Sequence, residues 1–593
     1  MDEAFRKEII DGYALTAPGV VLGSALKGSD LYVDARVQVG LPMLNRHGLI
    51  AGATGTGKTK TLQLLAGALS DAGVPVFVAD IKGDLSGLGV AGDPGNTNVH
   101  DRATSMGLTY TPHAHPVEFL SLSGKLGAQL RASVHSFGPL LMGKVLDLNP
   151  TQTSILSLVF KYCDDKALPL LDLTDLATTL RYLSSDDGKA ILDEYGGMSK
   201  ASVGVLVRSL VVLEQEGADV FFGEPAFDVA DLMRTTPDGK GVISVLELSD
   251  VMAKPRLFST FMLWLLAQLY QALPEAGDLP KPKLAFFFDE AHQLFRDASS
   301  ALMEQVELTV RLIRSKGVGV YFVTQAPTDV PPSVLAQLGN RVQHALRAFT
   351  PEDADALRKT ARTFPMTTNY DVEETIQSLG IGEALVSVLS PRGVPTPLAA
   401  TRLLPPDSLM GAMAPDAFAS RVATGQLGAK YGTAIDRESA HEIITRQLAS
   451  AHASAAAAAG VDPGVAASMT AAELKAAQKA KATEDARAQR AALAAQQRVE
   501  RDAQAAAARA QRDAAKAAEQ QRVAEQKAYE QAQREMLKEQ QRQAREAQAA
   551  QARAQKQLMR GLGGTGRRRR RSSSSQDPTE HVIRSVLGTL FGK

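Results

Sequence analysis

Nearly continuous apolar runs recur along the first three quarters of the chain, at residues 48–51, 76–79, 242–248, 284–288 and 318–324. Strands that are apolar at every position suit a parallel sheet covered on both faces, because a strand with one wet face alternates instead. Between them lie stretches of helical spacing, at 59–72 and 257–270. Residues 151–235 read as mostly helical, an insertion between core strands. Strands alternating with helices predict an α/β fold with a mostly parallel sheet.

The pattern changes near residue 451, where Ala, Gln, Arg, Lys and Glu take over and no proline occurs between Pro463 and Pro578. These residues are the best helix formers, so a long helical arm is predicted. Large apolar residues there (Leu493, Tyr529, Met536, Leu537) are isolated among alanines. A coiled coil and a solvated helical arm therefore both remain open. A glycine-rich break at 561–566, five arginines at 567–571 and a short amphipathic end at 582–591 follow. This divides the chain into a core over 1–450, an arm over 451–566 and a basic, amphipathic end over 567–593.

Composition sharpens the picture only in places. Lys plus Arg and Asp plus Glu each number 65, so net charge argues neither for nor against a nucleic-acid partner. The single cysteine, Cys163, excludes an intrachain disulfide framework and fits a reducing compartment. No apolar signal region follows the first residues. The most apolar helical run, 257–270, falls short of the about 20 residues a bilayer span needs. The expectation is a cytoplasmic protein with a buried core helix at that place.

The strongest chemistry is Gly52-Ala53-Thr54-Gly55-Thr56-Gly57-Lys58-Thr59, a complete G-x-x-x-x-G-K-T, or Walker A, between a strand and a helix. Its glycines let the backbone turn its N–H groups toward phosphate oxygens; Lys58 reaches the β- and γ-phosphates of ATP and the Thr59 hydroxyl binds Mg²⁺. The following helix adds its positive N-terminal end. The run 284–288 ends in Asp289-Glu290, a Walker B arrangement. There an Asp is placed to hold Mg²⁺ and a Glu to polarise the attacking water. The run 318–324 ends in Gln325, which can contact the γ-phosphate or orient water.

Asp80-Ile81-Lys82-Gly83-Asp84-Leu85, between the P-loop and the acidic pair, and Thr324-Gln325-Ala326-Pro327 complete an ordered set of motifs. This set resembles the HerA/FtsK superfamily of RecA-like DNA motors. The nearest resemblance is to an uncharacterised bacterial HerA-like family. Its hallmarks are similar to Asn45-Arg46-His47-Gly48, to Gly339-Asn340-Arg341-Val342-Gln343-His344-Ala345-Leu346-Arg347, and to Tyr431-Gly432-Thr433 through Asp436-Arg437-Glu438-Ser439. The resemblance covers about residues 5–445 and the short C-terminal end.

It implies a RecA-like P-loop NTPase core that hydrolyses ATP with Mg²⁺, forms homo-oligomeric, hexameric rings and translocates on double-stranded DNA. It also implies an arginine donated to the ATP of a neighbouring subunit. Arg311, Arg314 and Arg341 are the candidates, and Arg314 resembles the family position best. HerA carries a β-barrel before its motor, whereas the residues before Gly52 leave room for a strand or two. Two functions stay open: a DNA motor, or an ATP-dependent switch that acts on a protein partner recruited through the C-terminal arm.

Overall fold

A computed structural model describes residues 2–459, except 186–187, 189–196 and 297–298, together with 535–553 and a few isolated positions before them. Each apolar run becomes a strand at or within a residue or two of its expected place: β3 (Gly48–Ala51), β4 (Val76–Asp80), β7 (Ile243–Glu247), β8 (Leu284–Phe288) and β9 (Val318–Thr324). Seven more strands join them: β1 (Gly19–Lys27), β2 (Asp30–Gly40), β5 (Val117–Ser121), β6 (Ala128–Gln129), β10 (Asn340–His344), β11 (Glu383–Ser387) and β12 (Ala399–Leu403). All lie in one twelve-stranded sheet, in the order β2-β1-β12-β11-β10-β3-β9-β8-β4-β7-β5-β6.

The eight strands from β10 to β6 run parallel. The remaining pairings, from β10 through β11, β12 and β1 to β2, are antiparallel. Strands β1 and β2, which come before β3 and the P-loop, thus form a hairpin that extends the sheet. The P-loop strand β3 and the acidic strand β8 are separated by β9 alone, the RecA-like arrangement.

Alternation along the strands explains the continuous apolar runs. Leu49, Phe77, Ala79, Phe286, Phe288, Val320 and Phe322 face one core. Ile50, Val76, Val78, Ala285, Phe287, Tyr321 and Val323 face the other. Helix α1 (Glu3–Gly12) and the P-loop helix α2 (Lys58–Asp71) pack on the second face through Phe5, Ile9, Leu62, Leu65 and Leu69. On the first face lie the helix Pro255–Ala272, with Phe261, Trp264 and Leu265 buried, and the helices Pro150–Asp165, Leu173–Ser184 and Lys200–Gln215. The run at 257–270 is therefore a core helix. Among the described residues no helix is long and apolar enough to cross a membrane.

The chain separates into two units, Met1–Ala455 and Ala456–Lys593. In the second, residues 535–553 are helical and exposed. The expected five-arginine run at 567–571 and the amphipathic end at 582–591 lie outside the described residues.

One buried carboxylate ties the helical insertion to the segment that follows the sheet. Asp175, wholly buried, accepts hydrogen bonds from the N–H groups of Leu171, Asp172 and His441 and from the Ser439 hydroxyl. Nearby, Arg437 pairs with both oxygens of Glu224, and the Tyr431 hydroxyl contacts Asp231. Hydrogen bonds to a charged acceptor contribute about 1.5–3 kcal/mol, and donors left buried without a partner cost more. Asp175→Ala is expected to destabilise the first unit by at least ~2 kcal/mol; a urea-unfolding midpoint equal to wild type would remove Asp175 from this role.

Candidate functional site

The parallel strands end along one edge, and the motif residues gather there. Register places Ala51 opposite Thr324 and Gln343, Phe288 opposite Phe322 and Ala79, and Asp80 opposite Glu247. Strand β3 breaks into the P-loop at Gly52, whose N–H is shared between the carbonyls of Thr324 (3.2 Å) and Gln325 (3.1 Å). The Ala53 N–H donates to Ala345 O at 2.8 Å, and the Thr56 carbonyl accepts from Gly382 N–H at 2.9 Å. The ends of β9 and β10 and the turn before β11 thereby hold the loop open.

Two glycines are obligatory on steric grounds. Gly57, the residue before α2, sits at φ 113°, a left-handed value that side chains disfavour. At Gly52 (φ 154°) a Cβ would lie 2.5 Å from the Cβ of His344. His344, fully buried at the end of β10, shares a 2.9 Å hydrogen bond with the Thr61 hydroxyl. Burial, with Lys58 close by, pushes its imidazole down to about 3, so it stays neutral beneath the loop.

Lys58 is buried and donates to the carbonyls of Gly52 (2.7 Å) and Ala53 (3.2 Å), so its ammonium lies inside the loop. Burial draws its pKa below the ordinary lysine range, against the pull of Glu290 and Asp289. Thr59, half-buried, occupies the first turn of α2. Thr54 and Gly55 are exposed at the loop's crest.

Across β9, Asp289 and Glu290 leave the end of β8, both buried. Glu290 takes the left-handed conformation at φ 46°. For a residue with a side chain this costs on the order of 1–2 kcal/mol, and such strain concentrates at functional sites. Its carboxylate pairs with Lys82, and His292 Nδ1 lies 3.2 Å from its other oxygen. Burial opposes ionisation of Glu290, but the hydrogen bond and charge of Lys82, with Lys58, outweigh it and hold the carboxyl below its usual range. Asp289 goes the other way: burial, then the Glu290 charge, raise it to about 7. Two adjacent acids are thus pushed apart by their surroundings.

The loop after β4 supplies the rest. Asp80 accepts from the N–H groups of Lys82, Gly83 and Leu85, which folds residues 80–85 into a tight turn. This turn presents Lys82 to Glu290 and brings Asp84 to Asp289. Asp80, Asp84 and Asp289 each offer an oxygen within 4.8 Å of the others. Asp289 Oδ2 and Asp84 Oδ1 have no hydrogen-bond partner. Oxygen ligands of this kind suit a hard divalent cation such as Mg²⁺. Lys82, Asp84 and His344 were not singled out from the sequence as site residues, although Lys82 and Asp84 stand in one quoted motif and His344 in another.

Gln325 is exposed, one residue past β9 and beside the P-loop through its own carbonyl. The three arginines fall elsewhere. Arg341 donates to the carbonyls of Leu338, Thr363 and Leu335, so its guanidinium is committed within its own subunit. Arg311 and Arg314 are exposed. Arg314 precedes β9, whose seven residues span about 20 Å at ~3.3 Å each. It therefore sits at the opposite edge of the sheet from its own P-loop. Partial burial and the neighbouring Arg46 charge lower its pKa.

Comparison with known proteins adds three findings. A model of the family described as helicase HerA-like C-terminal matches residues 27–510. No curated protein sequence matches. Among solved structures, the bacterial conjugative coupling protein TrwBdeltaN70 is similar at 14% identity and a TM-score of 0.45, over 69% of this chain and 95% of that one. The plasmid coupling protein TrwB in complex with ADP and Mg²⁺ is similar at 14% identity and 0.42, over 67% and 98%. VirB4 of Thermoanaerobacter pseudethanolicus is similar at 14% identity and 0.39, over 66% and 98%.

The Lys58 ammonium lies inside the loop that Gly52–Thr59 forms. Lys58→Ala is expected to weaken nucleotide binding by at least ~10-fold, the scale of a charge-assisted hydrogen bond. A folded variant that binds a fluorescent ATP analogue as tightly as wild type would show that the loop is not the nucleotide cradle.

Proposed function

The chain belongs to this helicase HerA-like C-terminal family of P-loop ATPases, and from that premise we propose that it is a cytoplasmic ATP-hydrolysing motor that works as a homo-oligomer on double-stranded DNA. The observation that carries the hydrolytic part is the placement of Lys58 and the Asp289-Glu290 pair on either side of β9, with Glu290 held ionised by Lys82.

In this reading the P-loop N–H groups beyond Ala53, up to Thr59, hold the phosphates of ATP, and Lys58 transfers its hydrogen bonds from the Gly52 and Ala53 carbonyls to phosphate oxygens. Thr59 and Asp289 would hold Mg²⁺, whose positive charge neutralises phosphate oxygens when it is bound. Glu290 accepts a hydrogen bond from the attacking water and orients it. Gln325, whose carbonyl receives the Gly52 N–H, would assist that alignment. Arg314 cannot reach its own nucleotide across the sheet, so it serves the ATP of a neighbour, where a fixed positive charge stabilises the phosphate oxygens as negative charge develops.

The alternative, a switch acting on a protein partner through the arm, draws on the exposed helix at 535–553. DNA dependence separates the two readings. Turnover of ATP by the full chain is expected to rise several-fold on adding double-stranded DNA. Turnover indifferent to DNA would leave the protein-directed switch as the better account. In the same assay Glu290→Gln is expected to bind Mg·ATP normally and hydrolyse it at least ~100-fold more slowly, the scale of losing a general base. Near-wild-type turnover would remove Glu290 as the water-orienting group.

The role of Arg314 requires an assembly. Removing such an arginine costs ~10³-fold or more in other P-loop systems. Arg314→Ala is expected to lose activity on that scale. Mixing it with Glu290→Gln subunits should then restore part of the activity, because some interfaces pair an intact Glu290 with an intact Arg314. A specific activity that is independent of protein concentration, in a chain that stays monomeric with ATP, would be fatal to the trans arginine.

A further inference from the structure

At the far end of α2 from the P-loop lies a second cluster, made of Asp71, His113 and His115. Each offers one ligand atom, and these atoms all lie within 4.8 Å of one another. His113 Nε2 is 2.9 Å from Asp71 Oδ2, and His115 Nδ1 is 3.6 Å from Asp71 Oδ1. His115 is 3% exposed, and its Nδ1 has no hydrogen-bond partner. Its ring is seated against α2 where Gly67 leaves room: a Cβ there would lie 2.5 Å from His115 Nε2.

His113 poses a matching problem. Its Nδ1 faces the Thr111 carbonyl at 3.3 Å and its Nε2 faces the Asp71 carboxylate. A neutral imidazole carries a single N–H and satisfies one of these acceptors, whereas an imidazolium satisfies both. A cation between Nε2, the buried Nδ1 of His115 and the carboxylate supplies the partner that the His115 nitrogen lacks. The Nδ1–H of His113 then donates to Thr111 O, the outer hydrogen bond that metal-bound histidines commonly make. Lys240, 2.8 Å from Asp71 Oδ1, leaves Oδ2 for the metal and fixes the carboxylate from behind.

We propose that Asp71, His113 and His115 form a structural site for a zinc-class divalent cation, pinning the C-terminal end of α2 to the segment that leads into β5. Two imidazoles and one carboxylate suit Zn²⁺, whereas Mg²⁺ and Ca²⁺ prefer oxygen. Bonds of about 2 Å in a tetrahedron separate ligand atoms by roughly 3.3 Å; His113 Nε2 and Asp71 Oδ2 lie 2.9 Å apart, and all three residues offer a ligand atom within 4.8 Å of the others. Asp71 and His113 are each about one-third exposed, which gives the ion an approach from solvent.

The test is Zn²⁺ alone, without nucleotide, titrated into the untagged full chain after chelator treatment and followed by calorimetry and thermal unfolding. Wild type is expected to bind one equivalent at this site and unfold at a higher temperature when loaded. His113→Ala and Asp71→Asn, both at partly exposed positions, are each expected to bind at least ~10-fold more weakly and to lose the thermal shift. Absence of Zn²⁺ binding by wild type, or an unchanged affinity in either folded variant, overturns the proposal.

Discussion

The shared hydrogen bond from the Gly52 N–H to the ends of β9, with the Ala53 N–H bonded to the end of β10, is the constraint on which the site depends. A strand that stops one residue earlier or later would aim every following N–H elsewhere, since side chains and amides alternate along it. Because β3 is buried between β9 and β10, its register is fixed on both sides. The loop is therefore positioned by the sheet, with His344 filling the space beneath it. The same parallel order carries Asp80, Glu247 and Asp289 to one edge, so the position of the acids follows from the strands that also place the P-loop.

That edge is acidic beyond what a stable core would choose. Asp80 is raised to about 6, Asp289 to about 7 and Glu247 to about 8, each chiefly by burial and then by its acidic neighbours. Carboxyls in that condition are held there by backbone geometry and not by mutual attraction. Lysines oppose them, among them Lys58 within the loop and Lys82 on Glu290. Lys82 matters because it separates the fates of two adjacent acids: it favours the anion at Glu290, while Asp289 keeps an oxygen without a donor. An edge that gathers carboxyl oxygens without donors, at Asp289 and Asp84, is electrostatically suited to a cation.

Much of this was legible in the sequence. The parallel core could be read because strands buried on both faces are apolar throughout, as Phe286, Phe287 and Phe288 are. The P-loop could be read because its conformation demands glycine at Gly57 and its chemistry demands Lys58. Strands β1, β2, β11 and β12 were less visible: β2, for instance, alternates exposed and buried positions around Asp34 and Arg36. Strand β10 was hidden inside a polar motif, since Asn340 and His344 are buried by hydrogen bonds and not by apolarity. Asn340 binds the carbonyls of Met43 and His47 and receives the Leu389 N–H. The contact of Lys82 with Glu290 joins residues more than two hundred positions apart, and nothing in local spacing encodes it. Arg341 showed the converse: a cation attractive in the sequence is consumed by three carbonyls of its own chain.

The two ends of α2 make the division of labour plain. The helix has 14 residues and so spans about 21 Å at 1.5 Å each, from Lys58 in the P-loop to Asp71 beside His113 and His115. Its residues from Thr61 to Ser70 are almost all buried. A helix so enclosed cannot slide without disturbing the packing of Leu62, Leu65 and Leu69 against the sheet, and close-packed interiors resist such shifts. The Asp71 end therefore acts as an anchor. By fixing where α2 finishes, it fixes where α2 starts, and the start is the turn at Gly57 that aims the loop. Precision at the P-loop edge is in this sense built from both edges of the sheet: from His47 and Asn340, which lock the strand starts at one edge, and from the residues that receive the loop at the other.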